Sequence, residues 1–375
     1  MALENNNNRR FDLDWLRVFS VTLVFFHHAG MPFNGDSWHI MNAQSSKLMD
    51  DIMVYFEQWR LPLLLFISGA GTVMAFSKRT TFQFVKERSR RLLAPLIFGV
   101  LVITPPQTYY QFIDQYKTYL DVYPEAILKS KTNHLWFIEF LFVFSVIAIP
   151  LILFLRTEKS VRFIHMIEKI CDKRYGMLLF VIPLIAILLI TKKYYPDDSN
   201  KITNLSSSLY YLFFFLAGIL TSSSKELWPS LLRNRRFNLI ASIISLMLFY
   251  GYYYFPDELI SPYVSIPNRW RIWWIACSLV GWSTIITILG YAQVYFNRPH
   301  KWLPKFNEAV YPFYILHQTV IIVIGYYILQ WDANIPVKLI ALAILSFGGV
   351  ILIYRLLIYP FNVTRFFFGM KPKRA

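Results

Sequence analysis

Apolar runs of about 20 residues, the length that an α-helix needs to cross a bilayer, recur along the whole chain. They predict ten membrane spans, near residues 14–32, 52–76, 92–111, 135–155, 177–191, 208–222, 238–255, 272–296, 309–330 and 337–359. Of the 375 residues, 56% are hydrophobic and 16% are charged, whereas a soluble domain is about half apolar and about a quarter charged. The pattern predicts an all-α, polytopic integral membrane protein with about ten transmembrane helices.

Basic residues are concentrated in every second connection between the predicted spans. Most of the 38 Lys and Arg residues lie in the two tails and in the loops that follow even-numbered spans. Cytoplasmic segments of membrane proteins carry such an excess of positive charge, so both termini are predicted to be cytoplasmic. Binding of these loops to anionic lipid headgroups of the bilayer accounts for the net charge of +16 without a nucleic-acid partner.

No connection between the predicted spans is long enough to bury a soluble core of its own. We therefore expect one membrane domain over residues 1–375, with a disordered cytoplasmic tail at 1–13 and a basic cytoplasmic tail at 361–375. Cys171 and Cys277 indicate neither a disulfide framework nor a metal site, and no permanently bound cofactor is expected. The first apolar run lacks a small-residue cleavage site, which favours a retained helix over a signal peptide.

Two ionisable residues, Arg17 and His28, interrupt the first predicted span. Ionisable side chains are costly in a bilayer and by default indicate a functional site. At about 100° per residue, the spacing places Arg17 and His28 on one face of the helix, about 16 Å apart along its axis. His27 lies about 80° away from that face. The helix therefore presents a cation and a proton acceptor in one direction.

The second and third predicted spans carry polar or small residues at helical spacing. Glu57 and Arg60 are separated by i, i+3, which allows an ion pair on one helical face. Ser68 precedes a glycine, and small residues allow close helix packing, which by itself is a sufficient explanation for them. Arg88 and Arg91 lie three residues apart where the third span begins. Two guanidinium groups on one face suit a phosphate, although a topological anchor has the same composition.

The fourth and ninth predicted spans add histidines and a carboxylate. His134, Trp136 and Glu139 bring a proton carrier, an aromatic ring and an acid to the outer membrane boundary. Trp at an interface is usually an anchor, whereas a carboxylate one turn inside a span is a functional candidate. His317 has Tyr314 three residues earlier as a hydrogen-bond partner. A structural link between helices is the alternative role for this histidine.

In this order, the motifs resemble those of the acyltransferase-3 family of polytopic membrane acyltransferases, which includes glucan and surface-polysaccharide O-acyltransferases. The matching strings are Arg17 followed after ten residues by His28, the Phe-Ile-Ser-Gly of 66–69, Arg88-Ser-Arg-Arg91 before Pro95, His134-Leu-Trp-Phe137 and Tyr311-Pro-Phe-Tyr-Ile-Leu-His317. The resemblance implies transfer of an acyl group from cytoplasmic acyl-CoA, a co-substrate, to a hydroxyl of a cell-envelope glycan or glycolipid. Acetyl is the commonest group in the family, and the glucan-like strings leave succinyl open. The implied location is the bacterial inner membrane.

The resemblance also implies roles for individual residues. His28 would act as general base or would carry the acyl group in a relay, and Arg17 would hold the donor's phosphate or thioester oxygen. Arg88 and Arg91 would bind the phosphates of coenzyme A. Glu139 would orient a catalytic histidine or bind a sugar hydroxyl. Residues expected to contact the sugar are His134 and Trp136, and those expected to support the site are Glu57, Arg60, Ser68 and His317.

Other classes of protein remain open. A secondary transporter or flippase also uses buried Arg, His and Glu residues as a proton relay and breaks its helices with Pro and Gly. No pair of similar halves supports that alternative in this sequence. A non-catalytic sensing or scaffolding relative would keep the spans but would not need both Arg17 and His28.

Overall fold

The computed structural model describes residues 9–125 and 132–373, and every regular element in these two ranges is helical. The prediction of an all-α fold is therefore confirmed for the described residues. The α-helices of these ranges are α1 (Phe11–Gly30), α2 (Lys47–Glu57), α3 (Arg60–Phe76), α4 (Thr81–Arg88), α5 (Ala94–Phe98), α6 (Pro105–Gln111), α7 (Trp136–Ile147), α8 (Ile149–Phe154), α9 (Ser160–Asp172), α10 (Val181–Thr191), α11 (Leu205–Ser223), α12 (Leu227–Arg233), α13 (Arg235–Tyr253), α14 (Asp257–Ile260), α15 (Ile266–Tyr295), α16 (Leu303–Ile328), α17 (Ile335–Ile353) and α18 (Asn362–Phe367).

Six helical segments of the described chain are long and apolar enough to cross a membrane. They are Lys47–Phe76, Thr81–Gln111, Leu205–Ser223, Ile266–Tyr295, Leu303–Ile328 and Ile335–Ile358. Each contains most of one predicted span. A seventh arises if Ser160–Asp172 and Gly176–Thr191, which are bent by 119°, form one broken span. The protein is thus a helical membrane protein, while the prediction of about ten spans with both ends in the cytoplasm is not confirmed.

The remaining predicted spans are helical but shorter or more polar. The run at 14–32 forms α1, which contains Asp12, Asp14 and Arg17 as well as two histidines. The run at 135–155 is divided into α7 and α8 at Ala148, two residues before a proline. At Gly176 a Cβ atom would overlap the carbonyl oxygen of Ile170, so only glycine permits the sharp bend before α10. These local features explain why these apolar runs do not form long apolar helices.

The chain divides into two compact units. The first unit contains Met1–Leu16, Gln58–Arg79 and Phe144–Pro299, and the second contains Arg17–Glu57, Thr80–Val143 and His300–Ala375. α1 begins at Phe11, inside the segment 1–13 predicted to be a disordered tail; residues 1–8 and 374–375 of the two predicted tails lie outside the described residues.

In the first unit, α3 and α11 pack closely through two glycines. A Cβ atom at Gly69 would overlap the carbonyl oxygen of Phe215, and one at Gly218 would overlap that of Phe66. The two helices therefore contact each other backbone to backbone, as small residues allow in membrane proteins. Trp282 of α15 is buried and donates a hydrogen bond to the Met177 carbonyl, 2.7 Å away.

In the second unit, α1, α16 and α17 share an apolar core. Phe25 and Ala29 of α1 are fully buried against Ile321 of α16 and Leu342 of α17. His28 precedes Ala29, and His317 lies one helical turn before Ile321. The same packing that buries these apolar side chains therefore brings His28 and His317 together.

Candidate active site

His28 of α1 and His317 of α16 form a hydrogen-bonded pair of imidazole rings. His28 Nδ1 lies 2.7 Å from His317 Nε2. The ring centroids are 5.0 Å apart, with an angle of 7° between the ring planes. Trp38 stacks on the His28 ring at 6.1 Å, and Phe313 stacks on the His317 ring at 6.5 Å. Aromatic faces thus hold both rings in their orientation.

The hydrogen bonds determine which nitrogen of each neutral ring carries the proton. His317 Nδ1 lies 2.5 Å from the Tyr314 carbonyl oxygen, which is only able to accept. A neutral imidazole has one N–H group, so Nε2 of His317 is an acceptor. The proton between the rings therefore belongs to His28 Nδ1. The lone pair of His28 is consequently on Nε2, the nitrogen that faces away from His317.

This arrangement has the geometry that a general base needs when a second residue holds it in place. In the serine hydrolase triad, a carboxylate accepts from one nitrogen of the catalytic histidine and so fixes its tautomer and orientation. His317 makes the equivalent contact with His28, as a neutral acceptor in a fully buried position. The predicted partner of His317 was Tyr314, and the contact is made by its main-chain carbonyl.

His134 lies beside His317 and uses both of its ring nitrogens in internal hydrogen bonds. The two rings are perpendicular, with centroids 5.1 Å apart. His134 Nε2 donates to the Ile315 carbonyl at 3.0 Å, and Gln107 Nε2 donates to His134 Nδ1 at 3.3 Å. The Tyr314 hydroxyl donates to the main-chain carbonyl of His134. These contacts favour a positioning role for His134, and its predicted contact with sugar stays a prediction.

Gln107 is the centre of the polar network around His134. Its side chain is fully buried and donates to Thr319 Oγ1 at 2.7 Å, while its carbonyl oxygen accepts from Gln318 at 3.0 Å and Asn133 at 2.9 Å. Gln318 also donates to His39 Nε2 at 3.2 Å. Buried polar groups need such partners, and a fully paired network makes its members rigid. The network therefore fixes α6 and the start of α7 against α16 beside the histidine pair.

The comparisons with known proteins identify the family. The family model described as an acyltransferase domain, that of the acyltransferase-3 family, matches residues 10–355. The chain belongs to the acyltransferase-3 family. Its Arg17–His28 helix, the histidine pair and the Gln107 network all lie within the matched acyltransferase domain.

Curated relatives of the chain include glucans biosynthesis proteins C. Those of Escherichia coli strain K12 and strain SMS-3-5 / SECEC are 24% and 23% identical to it over 149 residues. Each match covers 38% of this chain and 38% of the relative, well under half of either length. No solved structure matches the chain significantly.

The other predicted catalytic residues of this acyltransferase-3 domain lie outside the histidine pair. Arg17 is half-buried on α1, three helical turns before His28. Glu139 is half-buried on α7 and makes no hydrogen bond or ion pair with another residue of 9–125 or 132–373. Orientation of a histidine by Glu139 is thus not seen in the structure. Trp136 contacts Phe140, with ring centroids 5.1 Å apart. Its predicted contact with sugar stays a prediction.

Glu57 pairs with the histidine that sequence spacing had set aside. His27 is buried, and its Nε2 lies 3.5 Å from Glu57 Oε1. Glu57 ends α2 and Arg60 begins α3, with two turn residues between them, so the predicted i, i+3 spacing does not lie on one regular helix. Arg60 is buried at the start of α3. Ser68 lies beside the Gly69 contact of α3, where helix packing accounts for the small residues.

A π-helical turn changes the relation between Arg88 and Arg91. Residues Ser89–Leu93 are π-helical, so three residues no longer bring side chains to the face expected of an α-helix. The guanidinium of Arg88 lies over the Phe84 ring, 5.1 Å from its centroid. Arg91 pairs with Glu87 at 3.0 Å. Each arginine thus contacts a side chain four residues earlier, and the predicted binding of phosphate by the pair stays a prediction.

Two buried polar side chains lie near the start of α16, and one of them interacts with the charge of Arg88. The positive charge of Arg88 acts on the Tyr311 hydroxyl, which is buried and has no hydrogen-bond partner in the described part of the chain. The side-chain amide of Asn307, one helical turn earlier, is likewise buried without a partner among residues 9–125 and 132–373. Because an unpaired buried polar group costs about 1–3 kcal/mol, these side chains are candidates for contact with a substrate. Sequence reasoning did not single them out, since Tyr and Asn are unremarkable near a helix end.

The C-terminal segment covers this position. Gly369 has φ +65°, and a Cβ atom there would lie 2.5 Å from the Tyr311 ring and 2.7 Å from the Arg91 carbonyl. Arg365 is buried and pairs with Glu308 at 2.5 Å, which attaches the segment to α16. The predicted basic tail at 361–375 is therefore ordered as far as 373 and is part of the second unit.

Proposed function

We propose that this protein is a membrane-bound O-acyltransferase that moves an acyl group from cytoplasmic acyl-CoA to a hydroxyl of a cell-envelope carbohydrate. The acyl group is acetyl, with succinyl as the alternative. The observation that carries the proposal is the hydrogen-bonded His28–His317 pair, with the two ring nitrogens 2.7 Å apart, inside a family-matched acyltransferase domain. The names of the relatives, which concern glucans, support a carbohydrate acceptor.

The proposed reaction uses His28 Nε2 as the general base. It takes the proton of the acceptor hydroxyl while that oxygen attacks the thioester carbonyl, so that a C–O bond forms. The C–S bond then breaks, and the imidazolium returns its proton to the departing thiolate to give coenzyme A. Proton transfer of this kind contributes about 10²–10⁴-fold to rate.

His317 would stabilise the charge that develops on His28. When His28 becomes an imidazolium, its Nδ1–H group strengthens the hydrogen bond to His317 Nε2. The Tyr314 carbonyl holds His317 with this nitrogen directed at His28. A neutral acceptor avoids the large desolvation cost of burying a carboxylate in the resting state.

The donor would bind at Arg88, with Tyr311 and Asn307 beside it. Arg88 supplies a guanidinium fork, the side-chain type best suited to phosphate oxygens. The unpaired Tyr311 hydroxyl and Asn307 amide supply neutral donors at the same position. Arg88 is the arginine whose charge acts on Tyr311, so Arg91, which pairs with Glu87, would contribute less. In the proposed topology, with about ten spans and both termini cytoplasmic in a bacterial inner membrane, this end of α16 faces the cytoplasm.

The test follows both products of the reaction. Purified protein in liposomes is given ¹⁴C-acetyl-CoA or ¹⁴C-succinyl-CoA with and without glucose oligosaccharides. We expect release of free coenzyme A only with acceptor present and an equal amount of label on the oligosaccharide. A transporter would instead move label across the bilayer without thioester cleavage, and that result would refute the proposal.

A further inference from the structure

The first unit contains a cavity whose lining residues take no part in the proposed chemistry. It has a volume of about 460 Å³ and lies between the end of α13, the short helix α14 and the start of α15. Its lining is mostly aromatic and includes one ion pair. The lining residues include Tyr252, Tyr253, Asp257, Arg269, Trp270 and Trp273. The volume is within the range of about 300–1,000 Å³ that is usual for small-molecule sites.

The aromatic side chains form a wall of fixed geometry. The Trp273 ring lies 6.3 Å from Tyr252 and 6.2 Å from Tyr253, at angles of 33° and 32°. The Tyr252 hydroxyl donates to the Arg269 carbonyl at 2.8 Å, which ties the end of α13 to the start of α15. Trp270 is 52% exposed at the edge of the cavity. The wall is thus preformed and leaves aromatic surface open to a ligand.

The charges of the two charged side chains that line the cavity balance each other. Arg269 pairs with Asp257, whose side chain is 74% exposed, whereas that of Arg269 is 22% exposed. Together they offer several N–H donors and carboxylate acceptors at the rim of an apolar wall. A phosphate headgroup would favour a net positive site, and an acyl chain would need no ion pair. A neutral ligand with an apolar face and hydroxyls at its edge matches both features.

Sugars have that combination of surfaces. One face of a pyranose ring presents C–H groups that pack on aromatic rings, and its hydroxyls donate to carboxylates and accept from guanidinium groups. The loop between the seventh and eighth predicted spans contains Asp257 and Arg269 and is external in the proposed topology. An envelope carbohydrate would reach the cavity from that side.

We propose that this aromatic cavity with its Asp257–Arg269 pair is a carbohydrate-binding site of the first unit, which takes glycans of the class proposed as acceptor. The inference rests on the proposed function for its choice of ligand. It adds a binding site in the first unit, whereas the proposed chemistry uses residues of the second.

The test measures binding of glucose oligosaccharides to full-length protein in nanodiscs without any acyl donor. Saturation-transfer NMR or calorimetry gives the affinity for the wild type and for Trp270→Ala, Asp257→Asn and Trp331→Ala. We expect the first two substitutions to weaken binding at least about tenfold, since truncating an aromatic or charged contact commonly costs that much. Trp331 is also a partly exposed tryptophan but does not line the cavity, so its substitution should leave the affinity unchanged.

Three results would overturn the inference. The first is that the wild type binds no oligosaccharide, and the second is that all variants bind it with equal affinity. The third is that Trp270→Ala and Asp257→Asn keep their affinity for sugar but lose binding of phosphatidylglycerol to the nanodisc-embedded protein. Trp270→Phe retains an aromatic ring and should restore most of the affinity, which separates loss of a contact from misfolding. The assay contains no thioester, so it is independent of the test for acyl transfer. Sugar binding can be absent while acetyl transfer to a small soluble acceptor proceeds, and sugar binding can be present while acetyl transfer is absent.

Discussion

The orientation of one proton decides what His28 is able to do. Because Tyr314 fixes the tautomer of His317, the lone pair of His28 lies on Nε2 and is directed away from the pair. Arg17 and His28 were identified from their spacing in the sequence alone. His317 was predicted to support the site, but its partner was not predicted, since His28 lies 289 residues away in the sequence and only the packing of α1 against α16 brings the two rings together.

Substitution of His317 tests its positioning role. Leu fills the space but offers no acceptor, so His317→Leu should lower kcat by about 10²-fold, with little change in KM for either substrate. Gln has a carbonyl oxygen that is able to accept from His28 Nδ1, and His317→Gln should recover a large part of kcat. Steady-state kinetics of coenzyme A release provide the comparison. Equal loss in both variants, or loss confined to KM, would refute the positioning role.

Arg88 and Arg91 are expected to differ although the sequence presents them as a pair. Arg88→Ala should raise KM for acyl-CoA about tenfold or more, since a charge-assisted hydrogen bond contributes about 1.5–3 kcal/mol. Arg91→Ala removes an exposed ion pair with Glu87 and should change that KM less than about twofold. The acceptor KM is the internal control and should change in neither variant. Equal effects of both substitutions would reduce the arginines to topological anchors.

At the scale of elements, small residues determine how closely the helices approach. The Phe-Ile-Ser-Gly string of 66–69 is part of the family resemblance, and the structure shows the physical basis of its glycine. Gly69 and Gly218 each face a main-chain carbonyl of the opposite helix. The π-helical turn at Ser89–Leu93 had no signal in the sequence, because hydrophobic spacing over five residues does not distinguish it from an α-helix.

Gly69→Ala should destabilise the first unit. The added Cβ atom meets the Phe215 carbonyl, so α3 and α11 must separate, at a cost of about 1–3 kcal/mol or more. Gly251 of α13 has no atom within 4 Å of its Cβ position and serves as the control. Gly251→Ala should be neutral or stabilising by about 0.5–1 kcal/mol, because glycine is unfavourable inside a helix. Thermal unfolding of the detergent-solubilised variants measures both, and equal melting temperatures would contradict the close contact.

At the scale of the whole molecule, the hydropathy pattern predicted the class of protein correctly, whereas the number of spans that it predicted is not confirmed. Runs of apolar residues identified an all-helical membrane protein, and six of them lie in helical segments of the described chain that are long and apolar enough to cross a membrane. The run at 14–32 forms a 20-residue helix that is too polar for this set, because it contains Asp14, Arg17 and two histidines. The run at 177–191 follows a sharp bend at Gly176, after the helix Ser160–Asp172. The division into two units was not predicted, since each unit is assembled from segments distant in sequence.

The adjacent histidines of α1 provide the most direct test of the account. His27 is paired with Glu57, whereas His28 is paired with His317 and keeps its lone pair on Nε2. Acceptor-dependent release of coenzyme A by the wild type, His28→Ala and His27→Ala in liposomes therefore separates the two roles. We expect the rate of coenzyme A release to fall by about 10²-fold or more in His28→Ala and by less than about tenfold in His27→Ala. Full activity of His28→Ala, or inactivation by His27→Ala alone, would contradict it.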